Sequence, residues 1–148
     1  MVALDPNDKG TWLGKGLALV NFGRYQEALA AYERALALDP NDKEAWLNKG
    51  LALGSLGRYQ EKLVACERAL ALDANYTSAW NNKGVALGSL GRYQEELTAC
   101  ERALVLDPNF KEAWYNKAWA LRNLGRHEEA LAAYERALAL DPNYKEAW

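Results

Sequence analysis

Apolar residues recur along this chain at two spacings, a short one of three to four residues and a long one of 34. Trp46, Leu47, Leu51 and Leu53, with Gly50 among them, fall on one helical face. Leu63, Ala65, Cys66, Ala69, Leu70 and Leu72 form a second such face. The pattern predicts a helix over about 43–56 and another over about 59–72. Gly57 separates them, because glycine accepts the left-handed backbone of a helix end without steric cost. "NDKE" at 41–44 has the form of a capping box, with Asn41 as the cap and Glu44 three places on. Pro40, Pro108 and Pro142 follow second helices; Ala74 stands at the equivalent place, which predicts a longer or looser junction there.

Shifted by 34 residues, the sequence lies on itself: residues 43–76 and 77–110 agree at 25 of 34 places. The units are 9–42, 43–76, 77–110 and 111–144. Residues 1–8 read as the tail of a preceding unit and 145–148 as the start of a following one, all within a single domain spanning 1–148. One helix pair of this size cannot bury its apolar face, but stacked copies can. The expected fold is therefore all-α, an α-solenoid of antiparallel helix pairs. Small residues at fixed places, Gly16, Gly50, Gly84 and Ala118 in first helices and Ala35, Ala69, Ala103 and Ala137 in second helices, fit close helix approach.

On Trp46, Gly50, Leu53, Cys66 and Ala69, and on Trp12, Gly16, Ala28, Tyr32, Ala35 and Pro40, the chain resembles the tetratricopeptide repeat family. The resemblance covers essentially the whole chain and implies a right-handed superhelix. Two departures stand in every unit. Lysine (Lys15, Lys49, Lys83, Lys117) replaces the leucine before the small residue, and leucine (Leu19, Leu53, Leu87, Leu121) replaces an aromatic. The lysine stems are expected on apolar surface with the ammonium in water.

Composition narrows the function. Half of the 148 residues are apolar and 26% are charged, as in globular proteins. A net charge of −2, with arginines set singly beside glutamates, argues against a nucleic-acid partner. No apolar run approaches the roughly 18 residues of a membrane span, and "MVALDPNDKG" lacks a signal pattern, so no membrane and a cytoplasmic setting are expected. No cofactor or metal site is expected either. The sole histidine, His127, replaces the tyrosine of other units, no Gly-rich phosphate loop is present, and "DPND" lacks calcium-loop spacing. Cys66 and Cys100 are equivalent residues of successive units. Packed helices sit about 8–10 Å apart, too far for a disulfide between such places, so both are read as buried packing thiols. Nothing here assembles an enzyme's catalytic set.

The middle units exchange a pair together: Ala28 with Tyr32 becomes Lys62 with Cys66 and Glu96 with Cys100. Four residues apart, each pair shares a helix face, and the long aliphatic stems are expected to cover volume that the missing rings leave.

The resemblance also implies a protein-interaction scaffold that binds an extended peptide along its first helices. The groove places fall on Leu13, Leu17, Asn21, Leu47, Asn48, Leu51, Asn81, Asn82, Val85, Tyr115, Asn116, Trp119, Arg122 and Asn123. Asn48, Asn82 and Asn116 recur once per unit, and a ladder of amides would hold a peptide backbone through donors and acceptors. A family subclass grips peptide carboxylates with groove lysines; those places here carry Leu13, Leu47, Asn81 and Tyr115, which argues for an apolar or neutral partner segment instead. The alternative function is structural: a segment that begins and ends inside a repeat would associate head-to-tail into a homo-oligomer through complementary ends.

Overall fold

The computed structural model describes residues 8–144. Its described residues form eight α-helices and no strand: α1 Lys9–Asn21, α2 Tyr25–Leu38, α3 Lys43–Ser55, α4 Tyr59–Leu72, α5 Thr77–Ser89, α6 Tyr93–Leu106, α7 Lys111–Asn123 and α8 His127–Leu140. The first residue of α1, α3, α5 and α7 is the first residue of each 34-residue unit. The terminal pieces expected at 1–8 and 145–148 lie outside the described residues, apart from Asp8. The chain divides into two compact units, 1–74 and 75–148, each holding two helix pairs.

Each pair turns on one glycine. Gly23, Gly57, Gly91 and Gly125 have φ between 72° and 79°, a region that costs a side-chain-bearing residue steric strain. In α3 the Arg58 amide donates to the Leu53 carbonyl at 2.9 Å and the Gly57 amide to Gly54 at 3.0 Å, which satisfies the last carbonyls of the helix. The next helix starts at once, and its first-turn glutamate pairs with the arginine before it, as Glu61 does with Arg58 and Glu129 with Arg126. A carboxylate in the first turn favours the helix dipole.

Start signals differ from the expected capping box. Asp42, not Asn41, caps α3: its side chain accepts from the Glu44 amide at 3.0 Å and the Ala45 amide at 3.1 Å. Asn41 instead donates its amide to Asp39 at 3.0 Å. The aspartate lies one residue before the helix and so reaches both orphan amides. At Ala74 the junction is no longer than elsewhere: α4 stops at Leu72 and α5 starts at Thr77, in step with Leu38 to Lys43 and Leu106 to Lys111.

In unit 1 the core gathers Leu19, Leu29, Tyr32 and Leu53 with small alanines, flanked by Trp12 and Trp46. In unit 2 Leu97, Leu121 and Ala118, Ala120, Ala130 and Ala133 pack with Trp114 and Tyr134. The unexpected lysines have a definite place. In each repeat, lysine and arginine approach one tryptophan: Lys49 Nζ lies 5.2 Å and Arg68 Cζ 5.0 Å from the Trp46 ring centre. Lys15 with Arg34, Lys83 with Arg102 and Lys117 with Arg136 repeat this on Trp12, Trp80 and Trp114. These cations face aromatic quadrupoles, a more specific contact than a stem on apolar surface. The indole N–H of Trp46 donates to the Pro40 carbonyl and that of Trp114 to Pro108, each at 2.8 Å.

Candidate functional site

The structure sorts the expected groove residues into three groups. Leu47 and Asn81 are buried, each 7% exposed, and present little surface to a ligand. Leu17, Leu51, Asn21, Arg122 and Asn123 are exposed. Leu13, Asn48, Asn82, Val85, Tyr115, Asn116 and Trp119 are half-buried. Four of the last group come together in unit 2: Val85 on α5 and Tyr115, Asn116 and Trp119 on α7 line one cavity of about 230 Å³. Gly88, Ser89 and Glu96 complete its wall. Leu13 instead borders an open depression with Lys9, Asp39, Asp42 and Leu72.

The amide ladder does not form as three equivalent groups. Asn82 Nδ2 donates to the Ser78 carbonyl of its own helix at 2.9 Å, while Asn116 Nδ2 donates to Asn81 Oδ1 at 3.0 Å. Asn116 finds an amide on the preceding first helix because the third repeat carries Asn81 at the place where Leu47 and Tyr115 stand in its neighbours. Asn123 likewise donates to its own helix, at the Trp119 carbonyl, 2.8 Å away. The aromatic side of the cavity is held from behind. Tyr115 packs on Tyr134 and Tyr144 with ring centres 5.9 and 5.7 Å apart, and the Arg122 guanidinium stacks 4.6 Å from the Trp119 ring centre.

Glu96 is the functional candidate that the groove reading missed. It is 2% exposed, and its Oε1 has no hydrogen-bond partner. Burial without a compensating cation pushes its carboxyl up to about 8. The carboxyl has room because residue 88 is glycine: a Cβ there would stand 2.4 Å from Oε2. In unit 1, Lys62 takes the same place against Gly54, where a Cβ would lie 2.8 Å from Cδ and 2.9 Å from Nζ. The stems therefore fill the space beside Gly54 and Gly88, one turn away from the lost rings. Cys66 and Cys100 occupy the ring places, within 3.5 and 3.0 Å of where a Cβ on Gly50 or Gly84 would sit. That corrects the expectation that the stems cover the ring volume. The signal was legible in the sequence as a second exchange: Val20 and Arg122 stand in the outer units where Gly54 and Gly88 stand in the middle ones.

Other reactive groups are turned inward or apart. Both cysteines are fully buried and neither is disulfide-bonded. Burial holds the Cys100 thiol far above its ordinary range, which leaves almost no thiolate. His127 is exposed as the first residue of α8. No group of three or more metal-ligating side chains assembles among the described residues, and no helix there is long and apolar enough to cross a membrane.

Sequence profiles described as tetratricopeptide repeat match residues 13–77, 63–109 and 112–144. This chain belongs to the tetratricopeptide repeat family. Its fold class is all-α, built of helix pairs of the α-solenoid class. The repeat chain is similar to the crystal structure of MamA, at 26% identity over 93% of this chain and 81% of that one, with a TM-score of 0.86. It is similar to YrrB, described as a TPR protein with an unusual peptide-binding site, at 25% identity, 97% and 74% coverage and a TM-score of 0.83. A part of MamA from Desulfovibrio magneticus RS-1 shares the fold at 24% identity, 94% and 78% coverage and a TM-score of 0.84. No curated protein matches the repeat chain in sequence.

Proposed function

We infer that this tetratricopeptide repeat chain is a non-catalytic protein-interaction scaffold whose first helices receive an extended peptide or partner segment. The observation that carries the reading is the cavity of unit 2. Two first helices contribute Val85, Tyr115, Asn116 and Trp119 to one concave surface, which pairs apolar and aromatic area with amide groups. Rigid rings suit binding because they lose little conformational freedom, and Tyr115 and Trp119 are already braced by Tyr134 and Arg122. The peptide-binding site described for YrrB supports the same use of the fold. The chemistry supports binding over catalysis, since the buried thiol and the exposed histidine are not assembled into a nucleophile–base pair.

The test is a peptide array read with the intact chain and with Tyr115→Ala and Trp119→Ala. Loss of one aromatic anchor weakens binding about tenfold or more. Peptides that bind all three proteins equally would remove the α5–α7 face from the reading.

A further inference from the structure

The cavity between α5, α6 and α7 contains one acid that the helix packing does not use. Glu96 projects from α6 into a wall otherwise built of Val85, Ser89, Tyr115, Asn116 and Trp119. A carboxylate buried this deeply and left without a partner opposes folding. The first and fourth repeats show that the scaffold does not need it, since Ala28 and Ala130 occupy the same place. The site is nonetheless built around it, because Gly88 removes the side chain that would collide with the carboxyl.

Resting on the peptide-scaffold reading, we propose that this cavity is a subsite for a lysine side chain of the bound partner, with Glu96 as the counter-charge to its ammonium. An ammonium carries three N–H donors and no acceptor. The wall offers three oxygen acceptors: the Glu96 carboxylate, the Ser89 hydroxyl and the Asn116 amide oxygen. Asn116 donates its Nδ2 to Asn81, so its oxygen is the end left to accept. The aliphatic stem of the lysine runs past Val85 and the rings of Tyr115 and Trp119, and a cation near those rings gains further attraction. Arg122 already stacks on Trp119, so the incoming ammonium takes the Glu96 side of the cavity.

The groups around Glu96 make its charge readable. α5 contributes Val85, Gly88 and Ser89, none of them titratable. α6 contributes Cys100, α7 contributes Tyr115 and the Arg122 beyond Trp119, and α8 contributes Tyr134. Burial raises both Cys100 and Tyr134, so neither ionises near neutrality. Burial raises the Glu96 carboxyl to about 8, so it is mostly protonated at pH 7. A bound ammonium replaces that proton, so binding releases it.

The experiment uses the intact chain and two blocked peptides of the same array-derived sequence, one with lysine and one with norleucine at a single position scanned along it. The lysine form binds about tenfold or more tightly at one register, and Glu96→Gln abolishes that preference. Glu96→Ala, which reproduces the sister repeats, serves as a second variant that keeps the fold. Affinity for the lysine form rises by about tenfold per pH unit below 8 and levels off above it. Equal affinity of the two forms at every register would overturn the subsite while leaving the scaffold intact. Binding that weakens above pH 8 would overturn it in favour of a neutral acceptor facing a protonated Glu96. If no peptide binds in the array, both readings fall.

Discussion

The two units share a scaffold and bury ionisable groups of opposite type at one place in it. In unit 1 Lys62 lies against Gly54, and in unit 2 Glu96 lies against Gly88. The lysine is 6% exposed and the glutamate 2%. In each unit the other repeat carries alanine there, Ala28 or Ala130. The difference separates what the repeat needs from what it tolerates. Folding needs a small residue or a glycine-made slot. It does not need a charge, and either sign costs desolvation. A charged slot that weakens the fold in both units points to use at the surface it borders.

The contrast breaks most visibly with pH. An unfolded chain holds a glutamate near 4.5, whereas native Glu96 sits at about 8. Between those values the native state carries a proton that the unfolded state lacks, so the stability of unit 2 falls as pH rises. Lys62 works in the opposite sense. Burial lowers it from 10.5, partly offset by the nearby Cys66. Between that lowered value and 10.5 the unfolded state binds more protons, so the stability of unit 1 rises with pH there. Hydrogen exchange of α4 and α6 amides at pH 5 and pH 8.5 reports each unit separately. The α6 protection is expected to drop by on the order of 2–4 kcal/mol, and Glu96→Gln to remove most of that slope. A wild-type slope that survives in Glu96→Gln would mean that another group carries it.

Glycines sharpen the comparison at the next scale down. A Cβ on Gly16 would stand 2.4 Å from the Tyr32 ring, and that ring is 1% exposed with nowhere to move. Gly16→Ala is expected to destabilise unit 1 by about 1–3 kcal/mol through overpacking. A Cβ on Gly50 meets nothing closer than 3.5 Å, because Cys66 stands where the ring would be. Gly50→Ala should therefore stabilise by about 0.5–1 kcal/mol through helix propensity alone. Gly88→Ala tests the slot itself: it costs stability beside Glu96 and gains it beside Glu96→Ala. The coupling expected in that cycle is about 1–3 kcal/mol. Urea midpoints of the four proteins measure it, and strictly additive values would show that Glu96 does not depend on Gly88.

Much of this was legible in the sequence because it is written four times. Repetition averages out local noise, so the helix starts at Lys43, Thr77 and Lys111 and the stops at the glycines follow from period and punctuation alone. The site was harder to read because it lives in the deviations. Position lists taken from the repeat placed Asn81 and Leu47 on the binding face, yet both are buried. Side-chain direction, not register, decides that. Glu96 escaped because its pairing with Cys100 assigns its stem to the lost ring volume, while its location depends on Gly88 one helix away. Two exchanges had to be read as one.

Helix starts provide the smallest contrast. In unit 1, Asp8 and Asp42 cap the first helices through their side chains; in unit 2 the cap residues are Tyr76 and Phe110, with no side-chain cap bond. Asp42→Ala removes acceptors for two orphan amides and is expected to cost about 1 kcal/mol. The reverse change, Phe110→Asp, supplies such acceptors to α7, so cap chemistry alone would give that amount back. Phe110 also packs on the cluster of Ala103, Leu104 and Ala113, and a half-buried ring contributes apolar burial of similar size. The two effects oppose each other, and the net change expected is within about 0.5 kcal/mol of zero. Denaturant midpoints of both variants measure the asymmetry. A clear gain from Phe110→Asp would mean that the ring contributes little, and that unit 2 lost its cap without an exchange for packing.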